Sequence, residues 1–84
     1  NTNLSHAKLS YANLNQSEIL NVLLVDAHMN SAKVINSKIS NSDLTKANLY
    51  RTNLTGTKLS DVKFKDAVFC KTIMPSGQDN SGCK

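Results

Sequence analysis

The stretch that decides the fold is residues 42–59, SDLTKANLYRTNLTGTKL. Divided into fives it gives SDLTK, ANLYR, TNLTG and TKL, and the last unit continues through Ser60 and Asp61. Each unit has a small residue first, a polar residue second and Leu third, followed by two polar or turn-forming residues. This period matches neither an α-helix at 3.6 residues nor a β-strand at 2.0. It predicts a chain that turns a corner every five residues.

The same period extends over most of the chain. Starting at Leu4 and stepping by five, all fourteen central residues are large and apolar, and the residue two before each is never larger than Val. The central residues are Leu4, Leu9, Leu14, Ile19, Leu24, Met29, Val34, Ile39, Leu44, Leu49, Leu54, Leu59, Phe64 and Phe69. We expect both positions to point inward and the other three to face water, because alternate residues of an extended segment share a side.

Four such sides would close a square coil of 20 residues, and successive coils would stack at about 4.8 Å. The sequence supports this number, because inward positions match at intervals of 20. Ala7, Ala27, Ala47 and Ala67 form one column without exception. An interval of 15 would instead place Val22 on Ala7.

Units such as ANLNQ, SDLTK, ANLYR and TNLTG resemble the A(D/N)LXX unit of pentapeptide repeat proteins. The resemblance covers residues 2–71 and implies an all-β fold, a right-handed quadrilateral β-helix (a repeat solenoid) of about three and a half coils. The tail, CKTIMPSGQDNSGCK, is similar to the terminal segment of cyanobacterial members, in which Cys, Met-Pro and a final Gly-Cys recur. For many members of the family the biochemical role is not known, so the resemblance implies a fold more than a function.

We divide the chain into a repeat β-helix over residues 1–71 and a C-terminal cap over residues 72–84. Pro75 ends the period because it lacks an N–H, and turn-forming residues follow it. A cap is expected because an open coil exposes unpaired backbone groups. The rings of Phe64 and Phe69 would help to close this end. The repeats begin at once after Asn1, which is not Met, so we expect an upstream segment or another subunit to cover the opposite edge.

Cys70 and Cys83 could form a disulfide, remain two free thiols or supply half of a metal site. A structural zinc site needs four ligands, and no His follows His28. The disulfide is the preferred interpretation. It would close a loop of about 14 residues, worth about 3 kcal/mol, and would indicate an oxidising compartment. With the cyanobacterial resemblance, this suggests the thylakoid lumen or the periplasm; free thiols would indicate the cytoplasm.

Composition limits the class of protein. The chain has 84 residues, 39% of them hydrophobic, and no Trp, so a single small domain needs a staple or a repetitive architecture. No apolar run approaches the 18 or so residues of a membrane span. The serines occupy repeat positions without a base beside them, and a Gly-rich phosphate loop is missing. We therefore predict a protein that is not an enzyme, with no cofactor, no metal and no small-molecule substrate.

His6, Asp26 and His28 are the one potential metal trio in the sequence. They fall on neighbouring columns one coil apart, and zinc sites with two His and one carboxylate are known. A solvated polar corner with a weak contact between His6 and Asp26 is the preferred interpretation.

Leu20, Leu23 and Val25 depart from the pattern, because they place apolar side chains at outward positions near one corner. They could reflect local loss of the pattern, or cover by an upstream segment. The alternative is a patch that contacts a partner, since contiguous exposed apolar area tends to mark interfaces.

The leading functional hypothesis is a structural or protein-interaction module of unknown specific role, with self-association possible through the N-terminal edge. The second is a DNA-mimicking protein that binds gyrase, which the resemblance implies for some members. An acidic surface is needed for that role, but this chain has ten basic and six acidic residues and a net charge of +4. The third is a basic module that binds an anionic partner. Grouped by coil, the basic residues are spread along the chain, so a nucleic acid is not expected.

Overall fold

The chain winds into a four-sided coil, described for residues 2–83 by a computed structural model. Its strands are short: β1 (Thr2–Asn3), β2 (Glu18–Leu20), β3 (Val22–Leu23), β4 (Lys38–Asp43), β5 (Lys58–Lys63), β6 (Thr72–Met74) and β7 (Gly77–Asp79). The first five strands pair in parallel at an offset of 20 residues, as in the pairs Thr2 with Val22 and Ile39 with Leu59. The predicted all-β right-handed quadrilateral β-helix and its 20-residue coil are confirmed. Residues 2–83 contain no helix that is long and apolar enough to cross a membrane.

Four sides follow from this register, and each is made of units that stack one on another. Side 1 comprises residues 2–6, 22–26, 42–46 and 62–66; side 2 comprises 7–11, 27–31, 47–51 and 67–71; side 3 comprises 12–16, 32–36, 52–56 and 72–74; side 4 comprises 17–21, 37–41 and 57–61. Strands β4 and β5 run around the corner from side 4 to side 1. On sides 2 and 3 single parallel pairs connect the coils, such as His28 with Asn48.

Every corner is made by the fifth residue of a unit, which adopts a positive φ. The fourteen residues are His6, Tyr11, Gln16, Asn21, Asp26, Ser31, Asn36, Asn41, Lys46, Arg51, Gly56, Asp61, Asp66 and Lys71. Only one of them is Gly, although this region of backbone space is unfavourable for other residues. The packing of the stacked coils must therefore offset a cost that recurs at every corner.

The second residue of many units is Asn or Asp because its side chain accepts a hydrogen bond at the turn. The amide or carboxylate oxygen receives the N–H of the residue two positions later. This contact, at 2.9–3.1 Å, is made by Asn3, Asn13, Asp43, Asn48 and Asn53. It satisfies a backbone donor that faces solvent and stabilises the bend locally.

The first residue of each unit is small because its side chain points inward. Its N–H often donates to the preceding central carbonyl and closes the turn, as from Ala47 to Leu44 and from Thr52 to Leu49, both at 3.0 Å. Where Ser or Thr stands, the hydroxyl can connect neighbouring coils. The Ser37 N–H donates to Thr57 Oγ1 at 3.1 Å, and the Ser17 N–H donates to Ser37 Oγ at 3.0 Å.

The core lies in the second and third coils. The buried apolar residues are Leu24, Ala27, Met29, Ala32, Val34, Ile39, Leu44, Ala47, Leu49 and Leu54. The central residues of the first coil are less covered, and Leu4 is 40% exposed. They border a recess of about 310 Å³ at the N-terminal end of the coil.

The coil geometry continues past the fourteenth unit. Thr72 is fully buried at an inward position, and Ile73 pairs with Asn53. Strand β6 then turns back as an antiparallel hairpin with β7. The division at residue 71 therefore remains a prediction, since the first residues of the predicted cap also extend side 3.

Residues after the hairpin fold across the last coil. The Gly82 N–H donates to the carbonyl of Phe69 at 2.7 Å, and the Lys71 N–H donates to Asn80 Oδ1 at 2.7 Å. A Cβ on Gly82 would lie 2.9 Å from the backbone N of Phe69, so only Gly fits this approach. The ring of Phe69 meets that of Phe64 edge to face at 5.4 Å, and together they help to fill this end.

Candidate interaction surface

The apolar patch, which consists of Leu20, Leu23 and Val25, lies at the corner between side 4 and side 1. Leu20 ends β2 and Leu23 ends β3, and the corner residue Asn21 lies between the two strands. Leu20 is 41% exposed and Leu23 is 45% exposed, while Val25 is half-buried. The two leucines project outward because they occupy the fourth and second positions of their units.

The columns that contain these leucines are otherwise polar. Leu20 stacks on Ser40, which in turn pairs with Ser60. Leu23 lies between Asn3 and Asp43. The apolar character is therefore confined to the first two coils and is not a property of the corner as a whole.

Carboxylates flank the apolar patch. Glu18 lies on the same strand as Leu20, Asp26 follows Val25, and Asp43 pairs with Leu23. The pKa of Asp43 is lowered from its ordinary value of 3.8, mainly by the hydrogen bond from the Thr45 hydroxyl and next by the Thr45 N–H. Asp43 is consequently ionised at neutral pH.

The polar corner predicted around His6 forms in part. His6 Nδ1 lies 3.8 Å from Asp26 Oδ2, and their side chains are 74% and 43% exposed. Contacts between groups this exposed contribute little to stability. His28 stacks on side 2 with Lys8 and Asn48 and is not part of this contact. Among residues 2–83, no group of three His, Cys, Asp or Glu is placed to hold a metal ion.

Cys70 and Cys83 are joined by a disulfide, with their Cα atoms 4.8 Å apart. Cys70 ends the column of side 2 that contains Tyr50 and is half-buried, and Cys83 is exposed beyond the hairpin. The bond attaches the segment after β7 to the last coil, next to the hydrogen bond between Gly82 and Phe69.

One feature of the surface was missed in the sequence, because charge was grouped by coil and not by side. Sides 2 and 3 contain no Asp or Glu, while both tyrosines lie on side 2. The Arg51 guanidinium lies 5.3 Å from the centre of the Tyr50 ring. The pKa of Tyr50 is lowered, chiefly by a hydrogen bond and the positive charge of Arg51, with a smaller effect of Lys71. Sorting the sequence into four sides by the five-residue period would have found this surface.

The geometry defines a solenoid of five-residue repeats, closed at its C-terminal end and with distinct surface chemistry on different sides. The chain matches the family model for pentapeptide repeats in eight copies, over residues 1–33 and 27–66. It belongs to the pentapeptide repeat family.

Among solved structures the chain is similar to HetL, a pentapeptide repeat protein involved in heterocyst differentiation regulation from the cyanobacterium Nostoc sp. strain PCC 7120, with 22% identity and a TM-score of 0.43. The match covers 89% of this chain and 50% of HetL, so this chain spans about half the length of that structure. The curated proteins gave no significant match.

Proposed function

We propose that this chain is a non-enzymatic protein-interaction module whose apolar patch contacts a protein partner. The observation that carries the proposal is that the exposed Leu20 and Leu23 lie on either side of one corner residue, Asn21, in columns that are otherwise polar. Apolar side chains at the centre of an interface, with polar groups around them, are typical of protein–protein contacts. Charged groups of both signs, such as Glu18 with Lys38 and Asp43 with Lys63, border the patch and supply the polar surroundings of such a contact.

The rigid coil supports this role, because it holds the patch on a preformed surface. Backbone hydrogen bonds join Leu24 to Asp43 at 2.7 Å and Asp26 to Thr45 at 3.0 Å, directly behind the patch. A partner would therefore bind without the cost of ordering a loop.

A gyrase-binding DNA mimic has less support. That role requires rows of carboxylates, whereas lysines interrupt the acidic positions on side 1. Asp43 pairs with Lys63, and Lys46 occupies the column position between Asp26 and Asp66.

We also propose an oxidising compartment, such as the periplasm or the thylakoid lumen. The disulfide between Cys70 and Cys83 supports this, since such bonds persist mainly where thiols are not kept reduced. The intact mass of the protein isolated from its own cells without reductant tests it: a gain of two mass units on reduction is expected, and free thiols would contradict it.

The role of the patch is tested with the double variant Leu20→Ser, Leu23→Ser. Serine already occupies the column of Leu20 at positions 40 and 60, so we expect the variant to keep the parent's melting temperature. The matched control is Val68→Ser, Ile73→Ser, because each of these residues is 40% exposed on another side.

We expect the patch variant to lose both self-association, measured by native mass, and the proteins retained by the immobilised parent. The control should keep the self-association and the proteins that the patch variant loses; its residues lie on sides 2 and 3, so only those species are compared. Identical masses and identical retained proteins for all three forms would contradict the proposal.

A further inference from the structure

The carboxylates of this protein are segregated to one half of its surface. Five of the six acidic residues lie on sides 1 and 4, and the sixth lies in β7. The five are Glu18, Asp26, Asp43, Asp61 and Asp66. The repeat does not require this arrangement, because Asn serves the second position of a unit as well as Asp does. The units of sides 2 and 3 therefore contain no carboxylate, although Asp79 of β7 pairs with Thr72 at the C-terminal end of side 3. We name these two sides the basic side.

The net charge of the protein is located on the basic side. Sides 1 and 4 carry five lysines, which balance their five carboxylates. Asp79 and Lys84 balance each other formally. The remaining four basic residues are Lys8, Lys33, Arg51 and Lys71, all of them exposed on sides 2 and 3. The units of the basic side thus carry a formal charge of +4, with Asp79 at their C-terminal end.

Aromatic and amide groups lie between these charges. Tyr11 is 78% exposed, the most exposed of the large apolar and aromatic side chains identified, and Tyr50 stacks with Arg51. Asn15, Asn36 and other outward amides fill much of side 3. Tyr and Arg are among the residue types most enriched where a few residues dominate binding at protein interfaces, and here the Arg51 guanidinium lies against the Tyr50 ring.

We propose that the basic side binds the acidic surface of a second protein partner. This goes beyond the contact assigned to the apolar patch, because the corner between sides 2 and 3 is diagonally opposite the corner between sides 4 and 1. Both surfaces can therefore be occupied at once, and the module joins two proteins.

The spacing of the charges favours a protein over a nucleic acid. The four basic side chains are distributed over two sides of a protein that measures 33 × 23 × 22 Å. Single-stranded nucleic acids are usually bound in a groove lined by closely spaced Lys and Arg side chains, with aromatic side chains on which successive nucleotides stack. The basic side wraps around a corner and is rich in amides, whose N–H and carbonyl groups can pair with the carboxylates and backbone groups of a protein.

The test compares two variants of equal net charge. Lys33→Gln, Arg51→Gln removes two charges from the basic side, and the matched control Lys38→Gln, Lys58→Gln removes two from side 4. Gln16 occupies the position of its unit that Arg51 occupies, with the same φ of 59°, so the first variant is expected to fold. Both variants are checked for the melting temperature of the parent.

The probes are poly-L-glutamate and a single-stranded oligothymidylate of matched charge, titrated at about 50 mM and about 200 mM salt. We expect the parent and the side 4 control to bind poly-L-glutamate equally, and the basic-side variant to bind it about tenfold more weakly. Equal weakening by both variants would show attraction to net charge alone and would overturn the proposal. So would no binding of poly-L-glutamate, or tighter binding of the oligonucleotide.

Discussion

The hydroxyl of Thr52 donates a 2.5 Å hydrogen bond to the backbone carbonyl of Met29, one coil earlier. The same carbonyl accepts the N–H of Ala32 at 3.0 Å, so one oxygen closes a turn and holds the next coil. Thr57 and Thr72 repeat the contact with the carbonyls of Val34 and Leu49. Buried hydroxyls thus connect the coils through the interior, where an unpaired polar group would be costly.

Replacing the threonine hydroxyls should destabilise the coil in a graded way. Thr52→Val keeps the branched shape and removes one hydrogen bond, so we expect a loss of about 1 kcal/mol. Thr57→Val should cost more, because the N–H of Ser37 also loses its acceptor. Urea unfolding of the parent and both variants measures the free energies of unfolding. Equal stability of Thr57→Val and the parent would contradict the hydrogen bonds of the Thr57 hydroxyl.

Ala47→Leu tests the packing of the inward columns. Ala47 is fully buried and stacks between Ala27 and Ala67, whose neighbouring coils leave little room for three more carbon atoms. Overpacking of this kind typically costs about 1–3 kcal/mol. Thermal unfolding should show a lower midpoint than for Ala47→Ser, because Ser42 occupies the equivalent position of another unit. A leucine variant as stable as the parent would show that the column is not inward.

The ionised carboxylate of Asp43 should stabilise the folded protein, and this contribution should be lost at low pH. Its pKa is lower in the folded state because the Thr45 hydroxyl and N–H donate to the carboxylate. The stabilising contribution of the ionised carboxylate is therefore complete above the ordinary pKa of 3.8 and is lost as the pH falls through the lower pKa of the folded state. In Asp43→Asn the amide oxygen still accepts the Thr45 N–H, as Asn48 and Asn53 do at their turns.

The parent should be more stable than Asp43→Asn near neutral pH, and the difference should shrink as the pH falls below 3.8. Thermal unfolding between neutral and acidic pH measures it. A constant difference across this range would exclude the ionised carboxylate as its source.

The segment after β7 should depend on both the disulfide and Gly82. Cys70→Ser, Cys83→Ser reopens a loop of about 14 residues, and we expect a loss of about 3 kcal/mol. Gly82→Ala should loosen the same segment with the disulfide intact, because its Cβ would lie 2.9 Å from the backbone N of Phe69.

Hydrogen exchange at the amides of Lys71 and Gly82 reports this loosening. Both amides donate hydrogen bonds across the end of the coil: the Lys71 N–H to the side chain of Asn80, and the Gly82 N–H to the carbonyl of Phe69. Faster exchange is expected in either variant, with protection at Leu24 unchanged. Parental protection at Gly82 in both variants would mean that neither feature holds the segment.

The five-residue period alone predicted the four sides, the 20-residue coil and the inward positions. It works because each unit has only two inward residues, which tolerate a narrow range of sizes. The period also predicted that Leu20 and Leu23 would face outward. It did not predict why some small positions are Ser or Thr, since the bond from the Ser37 N–H to Thr57 exists only between stacked coils.

The charge distribution shows a second limit of the linear sequence. Arg51 and Lys8 are 43 positions apart along the chain but share side 2, whereas Arg51 and Lys46 are close in sequence and lie on different sides. Counting by coil averages the four sides and hides the basic side. The shape of the hairpin was also beyond the period, because it begins where the repeat ends at Pro75.

Site-specific photo-crosslinking from position 23 tests the central claim most directly. A photo-reactive residue replaces Leu23 in the full chain, and the control carries it at Lys63, an exposed position in the same column two coils away. We predict a discrete protein adduct from position 23 that is absent from position 63 and is lost when Leu20→Ser is added. The same adducts from both positions, or none from position 23, would contradict the assignment of the apolar patch as the contact surface.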